Sequence, residues 1–375
     1  MKVLHLLARG STGGIERLCE DFEEFSTHEN TFVFVWGKDE TTYLNMQRRG
    51  ADVFQLNAEN KNLLKVLREI DQLREQKQAQ VVIVHHDAPL LYLYLIFLKI
   101  THRNIKTIIY AHSDAVVMCS PNKKNGLVVR KIILQLALKS VDCIVAISES
   151  VRKSLLEYLK ADDRKICIVY NGVNIKKFQS KPHLISKPLK IIYVGRLIKE
   201  KGVQITLDAL ALLPSNLKWT FQIVGDGSYR QQLECIVKEK KLQQSVEFLG
   251  TQANVPEFLK QADVFIHMPV WKEGFGIAVV EAMASGLICI CANNGAMSEI
   301  VSNGKNGYLI EKENAKELSV ILQNLMTVSP QEIEKLQANA IATAAKFSMD
   351  EFSNGLDKVI GQVVLSSKEN RATNR

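Results

Sequence analysis

Two carboxylates, Glu273 and Glu281, bracket the segment Gly274-Phe275-Gly276-Ile277-Ala278-Val279-Val280. An ionised carboxylate only accepts hydrogen bonds, which suits it to vicinal hydroxyls. Gly274 and Gly276 carry no Cβ, so an anion can come close to the backbone, and a loop running into a helix offers free N–H groups to a phosphate. A plainer reading of the same residues exists: acidic groups near a helix start favour the dipole, and Glu281 would then be an ordinary surface residue. The elements that must position these groups are legible on either side. Ala262-Asp263-Val264-Phe265-Ile266 reads as a strand, the glycines as a turn, the residues after them as a short helix stopped at Gly286, and Leu287-Ile288-Cys289-Ile290-Cys291 as a second buried strand. In open parallel sheets the ligand crevice lies beyond the carboxyl ends of the strands, where Glu273 falls.

With its flanking strands this stretch resembles glycosyltransferase family 4, retaining, nucleotide-sugar-dependent enzymes of the two-domain GT-B fold, whose signature is two glutamates separated by seven residues after a strand. The resemblance implies that Glu273 contacts the donor sugar, that Glu281 takes the nucleotide ribose hydroxyls, and that the backbone from Gly274 through Phe275 and Gly276 to Ile277 faces the donor. A second motif follows the strand-like Leu189-Lys190-Ile191-Ile192-Tyr193-Val194: in Gly195-Arg196-Leu197-Ile198-Lys199-Glu200-Lys201-Gly202, Arg196 and Lys201 stand where the family holds the donor diphosphate. A departing nucleoside diphosphate gathers negative charge that fixed cations stabilise. Gly225 lies in a turn beyond another strand, and the stretch containing Leu249 and Val255 is where the family frames the base.

The first half matches less closely. Gly13 and Gly14 follow the first strand in a spacing that is not the dinucleotide fingerprint. The family would place them near the donor phosphates and acceptor, while a tight turn needing positive φ would explain the same glycines. Polar residues close several apolar runs: His85-His86-Asp87, His112-Ser113-Asp114, Ser148-Glu149 and Asn171-Gly172-Val173-Asn174. Adjacent residues of an extended chain point to opposite faces, which argues against a metal at His85-His86-Asp87. By resemblance His112 points at the donor sugar and acts in catalysis together with Glu273, Arg196 and Lys201, while His86 and Asn171 fall on the acceptor side.

Length and composition fit a globular protein of two domains. The chain has 375 residues, 46% hydrophobic and 23% charged, enough for two cores. Seven scattered cysteines show no metal-ligand spacing and suit a reducing compartment, and because a strand-like run starts at Lys2 no secretory leader is expected. Strand-like runs alternate with helical segments, as in doubly wound parallel sheets. Pro, Ser and Lys mark a linker at Ser180 to Pro188. The expected domains are 1–180 for the acceptor, 181–348 for the donor, and a helix from Met349 that packs back on the first domain before a frayed tail from Ser366. The net charge of +8 is concentrated: residues 99–177 hold 15 Lys and Arg against 6 Asp and Glu, a local net of +9. Such a block is either a solvated face or a site for an anionic membrane or phosphate-bearing acceptor. The apolar run Pro89 to Ile100 is too short to span a bilayer and reads as a buried helix, with shallow membrane docking as the alternative.

The resemblance therefore implies a cytoplasmic retaining glycosyltransferase of cell-surface polysaccharide biosynthesis, hexosyl- or N-acetylhexosaminyl-transferring. It would have two Rossmann-like domains facing across a cleft, a nucleotide-sugar donor, a glycan or lipid-linked acceptor and peripheral membrane contact, with no nucleic-acid partner. No Asp-x-Asp occurs, so no metal or other cofactor is expected. A nucleotide-sugar epimerase on the same fold and a non-catalytic binding subunit are the alternatives.

Overall fold

The computed structural model describes residues 1–10, 13–38, 40–119 and 127–372. Its contacts divide the chain into two units, Met1–Gly172 with Met349–Arg375, and Val173–Ser348. The first is built on β1 (Lys2–Leu7), β2 (Glu29–Phe34), β3 (Val53–Gln55), β4 (Val81–Val84), β5 (Lys106–Ala111), β6 (Cys143–Ala146) and β7 (Ile166–Ile168), all parallel in the order β3-β2-β1-β4-β5-β6-β7. The second uses β8 (Leu189–Val194), β9 (Trp219–Val224), β10 (Val246–Gly250), β11 (Val264–His267), β12 (Ile288–Ala292) and β13 (Tyr308–Ile310), parallel in the order β10-β9-β8-β11-β12-β13. Both sheets follow the doubly wound order, which reverses between β1 and β4 and between β8 and β11. The strands read as unbroken apolar runs because helices cover both faces; β4 and β12 are buried at every residue.

Local signals place the helices. Asn62 Oδ1 accepts from the Lys65 N–H at 2.8 Å and starts the helix Leu63–Gln76 where the sequence periodicity begins. The apolar run after β4 is the helix Pro89–Thr101, with Leu91, Tyr92, Tyr94, Leu95 and Leu98 buried but Phe97 and Ile100 exposed. The helix expected from Gly126 is described as Leu127–Ser140; Gly126 itself lies outside the described residues.

The unit boundary lies at Gly172/Val173 and not at 180/181. The Val173 N–H donates to the Phe347 carbonyl at 2.9 Å, and the helix Ile175–Phe178 packs on the helices Val255–Lys260 and Ile277–Ala284, so these residues belong to the second unit. The closing helix, Met349–Ala372, groups with the first: Phe352 meets the edge of Phe22 at 5.4 Å, and the Thr27 hydroxyl donates to Asp357 at 2.6 Å. Helix continues where a frayed tail was expected from Ser366, and only 373–375 fall outside the described residues.

The linker is fixed by one buried carboxylate. Asp263, 1% exposed at the start of β11, accepts from the Ser186 N–H (3.0 Å), the Ser186 hydroxyl (3.1 Å) and the Lys190 N–H (2.8 Å), which sets where β8 begins beside β11. Asp263→Ala leaves two backbone donors without their acceptor and should lower unfolding free energy by roughly 3 kcal/mol, with Asp263→Asn losing less. A denaturant midpoint unchanged in Asp263→Ala would refute this role.

Candidate active site

In the second unit the chain leaves β11 at His267 and runs through a loop into the helix Ile277–Ala284. Asn294, just after β12, clamps that loop: its Nδ2 donates to the carbonyls of Pro269, Val270 and Trp271 at 3.3, 3.1 and 2.7 Å. The Ala296 N–H donates to the Glu273 carbonyl at 2.9 Å, and a Cβ on Gly295 would come within 2.2 Å of that carbonyl oxygen. Gly276 is the N-cap at φ +106°, with Met297 filling the space of its missing side chain and no side chain capping the helix. The helix start therefore keeps N–H groups with no intrahelical acceptor. From sequence, residues 293–299 are only a turn; in the structure they hold the Glu273 loop.

The Glu273 carboxylate is the hub. Its Oε2 accepts from Lys201 Nζ at 2.7 Å and lies 3.2 Å from His267 Nε2. Burial works against its ionisation, but the Lys201 ammonium and the His267 ring overcome that penalty and hold Glu273 well below the usual carboxylate range. Burial lowers His267, partly opposed by its bond to Glu273, so the ring is neutral and donates through Nε2. Lys201 also stands 5.5 Å from the Trp271 ring. It is placed by Gly202, at φ +74° with the Met268 carbonyl where a Cβ would be, and by the Val270 N–H, which donates to Glu200 O at 2.9 Å. The turn after β8 and the loop after β11 are thereby tied together.

The other donor-side residues distribute around this hub. Arg196 follows β8, exposed, with no ion pair among the described residues; its carbonyl accepts from the Tyr193 hydroxyl at 3.1 Å. Gly225 sits at φ +131°, against the Gly195 carbonyl, and donates its N–H to Gly250 O at 2.8 Å, which joins the ends of β9 and β10 next to Leu249. Glu281 lies half-buried on the helix. The Val255 side chain is buried in the helix Val255–Lys260, which packs toward β8, leaving its backbone for any ligand contact. His267 and Trp271 are the participants that the sequence reading missed. A histidine closing an apolar strand at the point of sheet reversal was the available signal for the first.

In the first unit Gly13 has φ −141°, so positive φ does not explain it; the Glu16 carboxylate occupies the space a Cβ would take. Gly14 opens the helix Gly14–Glu23, and Ser11 and Thr12 lie outside the described residues. Glu16 Oε1 lies 3.3 Å from His86 Nε2, and His86 Nδ1 accepts from the Ala8 N–H at 3.2 Å. His85 turns the other way. It bridges His5 and His112: His5 Nδ1 to His85 Nε2 is 2.9 Å and His85 Nδ1 to His112 Nε2 is 3.2 Å, with His5 Nε2 3.0 Å from Asn30 Oδ1. Burial pushes His5 down to about 4 and, with His86 nearby, His112 down to about 3; burial and the neighbouring imidazoles likewise hold His85 well below its ordinary value. Asn171 is buried, with its Oδ1 3.4 Å from the Tyr110 hydroxyl, and Ser148 caps the helix Glu149–Leu159 by accepting from the Val151 N–H. Asp71, Glu75 and His102 are close enough to share a cation, but Arg74 pairs with both carboxylates.

A family model described as "Glycosyltransferase Family 4" matches residues 12–177, and one described as "Glycosyl transferases group 1" matches residues 174–347. Together they run from the first glycine loop to the end of the second unit. The chain belongs to glycosyltransferase family 4. Among its relatives are an uncharacterized glycosyltransferase of Methanocaldococcus jannaschii, 30% identical over 226 residues that make up 60% of each chain, and a Campylobacter jejuni protein named N,N'-diacetylbacillosaminyl-diphospho-undecaprenol alpha-1,3-N-acetylgalactosaminyltransferase, 28% identical over 225 residues, 56% of this chain and 57% of that one. The matches span about three fifths of the relatives' own length. Anabaena HepE, solved in complex with UDP, is 22% identical, with a TM-score of 0.81 over 96% of this chain and 100% of that chain. That likeness gives the fold, GT-B, with two Rossmann-like units.

The buried imidazoles carry a pH consequence for this family 4 chain. His5, His85, His112 and His267 all titrate lower when folded than the ordinary 6.5, so below that pH the unfolded chain binds protons that the folded chain does not. Stability is then full above about pH 6.5 and falls with acidification, by at most ~1.4 kcal/mol per pH unit for each histidine. Glu273 adds a contribution that survives until stronger acid. Urea midpoints should decline steadily from pH 6.5 to 4.5; a flat profile there would contradict the neutral assignments.

Proposed function

We propose that this protein is a retaining glycosyltransferase that moves a sugar from a nucleoside-diphosphate sugar to a glycan hydroxyl without a metal ion. The observation that carries the reading is the Lys201–Glu273–His267 cluster at the carboxyl ends of β8 and β11, beside the open helix start at Gly276. Arg196, Lys201 and the N–H groups from Gly274 to Ile277 meet the diphosphate, and stabilise the charge it gains as the sugar–phosphate bond breaks. Glu273, held ionised, accepts from a donor-sugar hydroxyl and favours the positive charge that develops at the anomeric carbon. Glu281 accepts from the ribose hydroxyls. The acceptor hydroxyl attacks from the side the diphosphate leaves, and a phosphate oxygen takes its proton. The UDP and UDP-glucose complexes of HepE support a nucleotide-sugar donor.

The two glutamates should separate in kinetics. Glu281→Gln is expected to weaken nucleoside diphosphate binding by about 1.5–3 kcal/mol, while Glu273→Gln, which leaves the Lys201 charge without its counter-ion, should depress kcat more than nucleotide affinity. Wild-type transfer and binding by both variants would remove the site assignment. Activity that EDTA abolishes and manganese restores would remove the metal-free mechanism, because Arg196 and Lys201 would then not suffice.

The acceptor is proposed to be lipid-linked, reached from the cytoplasmic face of a membrane. The Campylobacter relative's name, which contains a diphospho-undecaprenol acceptor, supports this. So does an exposed apolar face: Val128, Val129, Ile132 and Leu136 line one side of the helix Leu127–Ser140, which packs on the helix exposing Phe97 and Ile100 and near the one exposing Val116 and Val117. No helix among the described residues is long and apolar enough to cross a membrane. Within the basic block Lys99 and Lys106 pair with Asp142, Arg152 with Glu149 and Asp163, and Arg164 with Asp162; these acids are already counted in its net +9, so the excess of cations stays. Membrane contact draws on apolar insertion as well as on charge, so salt should weaken it only in part. Liposome co-sedimentation is expected to show binding to anionic vesicles that the triple change Val128→Ser, Ile132→Ser, Leu136→Ser abolishes. No wild-type binding at low salt, with full activity on a water-soluble acceptor, would defeat the proposal.

A further inference from the structure

The three buried imidazoles of the first unit form a directional chain whose far end is Asn30. The carboxamide oxygen of Asn30 only accepts, so the His5 Nε2 facing it at 3.0 Å must carry the proton. A neutral imidazole has one N–H. His5 Nδ1 is then bare and accepts from His85 Nε2–H, which leaves His85 Nδ1 bare to accept from His112 Nε2–H, at 2.9 and 3.2 Å. His112 ends the chain with an unprotonated Nδ1, a buried atom that has no hydrogen-bond partner among the described residues. All four side chains are 9% exposed or less, so water does not readily reset the order. Ring packing holds the planes as well: Phe32 stacks on His5 at 4.7 Å and Tyr110 lies 4.2 Å from His112.

We propose that Asn30, His5 and His85 are positioning residues that fix His112 as its Nε2–H tautomer, presenting Nδ1 as a hydrogen-bond acceptor for a hydroxyl or amide N–H of a sugar. This rests on the reading of the protein as a glycosyltransferase only for the identity of the ligand; the chain of tautomers stands without it. A lone pair in that place attracts a hydroxyl and repels phosphate or carboxylate oxygen, so His112 selects the sugar and takes no part in holding the diphosphate. Burial keeps the ring neutral at physiological pH, which removes it as a general acid and leaves a fixed acceptor.

The test reads the tautomers directly in the full chain labelled with 15N-histidine, by long-range 1H–15N correlation at pH 7.5, with resonances assigned from single His→Phe variants. The expected spectrum has protonated Nε2 and pyridine-type Nδ1 in His5, His85 and His112. A protonated Nδ1 on His112, which would mean the Asn30 amide faces the other way, or averaged shifts from two tautomers, would overturn the proposal. Asn30→Asp offers oxygen acceptors only and should reproduce the wild-type tautomers, whereas Asn30→Leu should release them to an average. In transfer assays Asn30→Leu is expected to lower kcat by roughly fivefold to tenfold with UDP binding unchanged, the factor for one lost hydrogen bond, and Asn30→Asp to restore it. Released tautomers with unaltered kcat would sink the positioning role. Absence of any transfer by the wild type would instead count against the glycosyltransferase reading, with the measured tautomers still deciding the chain.

Discussion

The second unit is arranged around a carboxylate that must stay charged while buried. Taking Glu273 out of water is costly, and an ionised carboxylate persists there only if its partners are fixed before it arrives. Lys201 and His267 are those partners, at 2.7 and 3.2 Å, and they come from the ends of β8 and β11, the neighbouring strands between which the sheet order reverses. Several close backbone approaches follow from that requirement. Gly202 lets the turn bearing Lys201 press against Met268, and Gly295 lets the β12 loop bond to the Glu273 carbonyl. A side chain at either glycine would push apart the strand ends that make the cluster.

The same topological place carries different chemistry in the first unit. There the strand equivalent to β11 is β4, and a histidine again stands at the carboxyl end: His267 is the last residue of β11 and His85 follows the last residue of β4. Among the described residues no lysine or carboxylate bonds to it; its neighbours are two more imidazoles, and all three are neutral because burial outweighs whatever opposes it. One sheet reversal thus supports a fixed pair of opposite charges and the other an uncharged row of hydrogen bonds. Free donors on a fixed lysine suit phosphate and a neutral acceptor suits hydroxyls, so the two units differ in the ligand groups they can attract.

Much of this was legible in the chain. Continuous apolar runs ending in polar residues give parallel strands with polar groups at their carboxyl ends, and the family resemblance singled out Glu273, Arg196, Lys201 and His112 among those groups. What escaped depended on distances between remote segments. His5 lies inside an apolar strand, where periodicity marks it as core; only the fold brings it within 2.9 Å of His85. Asn294 looked like turn punctuation, yet its three bonds hold the loop that carries Glu273. The boundary was misplaced because Pro and Ser draw attention to residues 180–188, while the pairing of Val173 with the strand-like Phe347-Ser348 is invisible to composition. Counting charges gave the excess of the basic block but not its pairing, since Asp142 meets Lys99 and Lys106, and Asp163 meets Arg152, only in three dimensions.

A buried ion pair is weak evidence that stability was the reason for keeping it. Replacing such a pair with apolar side chains of similar volume is often neutral or stabilising, because desolvation offsets much of the attraction. Lys201 and Glu273 could on that ground be exchanged for a Met and a Leu with little loss to the sheet, whose cohesion comes from residues such as Ile191, Phe221, Ile266 and Ile290. Their retention makes sense if the charges act on something else. Glu273 engages one of the three ammonium protons of Lys201, so the lysine keeps a fixed position and still has donors for an incoming anion. The carboxylate likewise has a second oxygen. Held in this way, both groups would meet a ligand without first being ordered, and the desolvation already incurred in folding is not incurred again on binding.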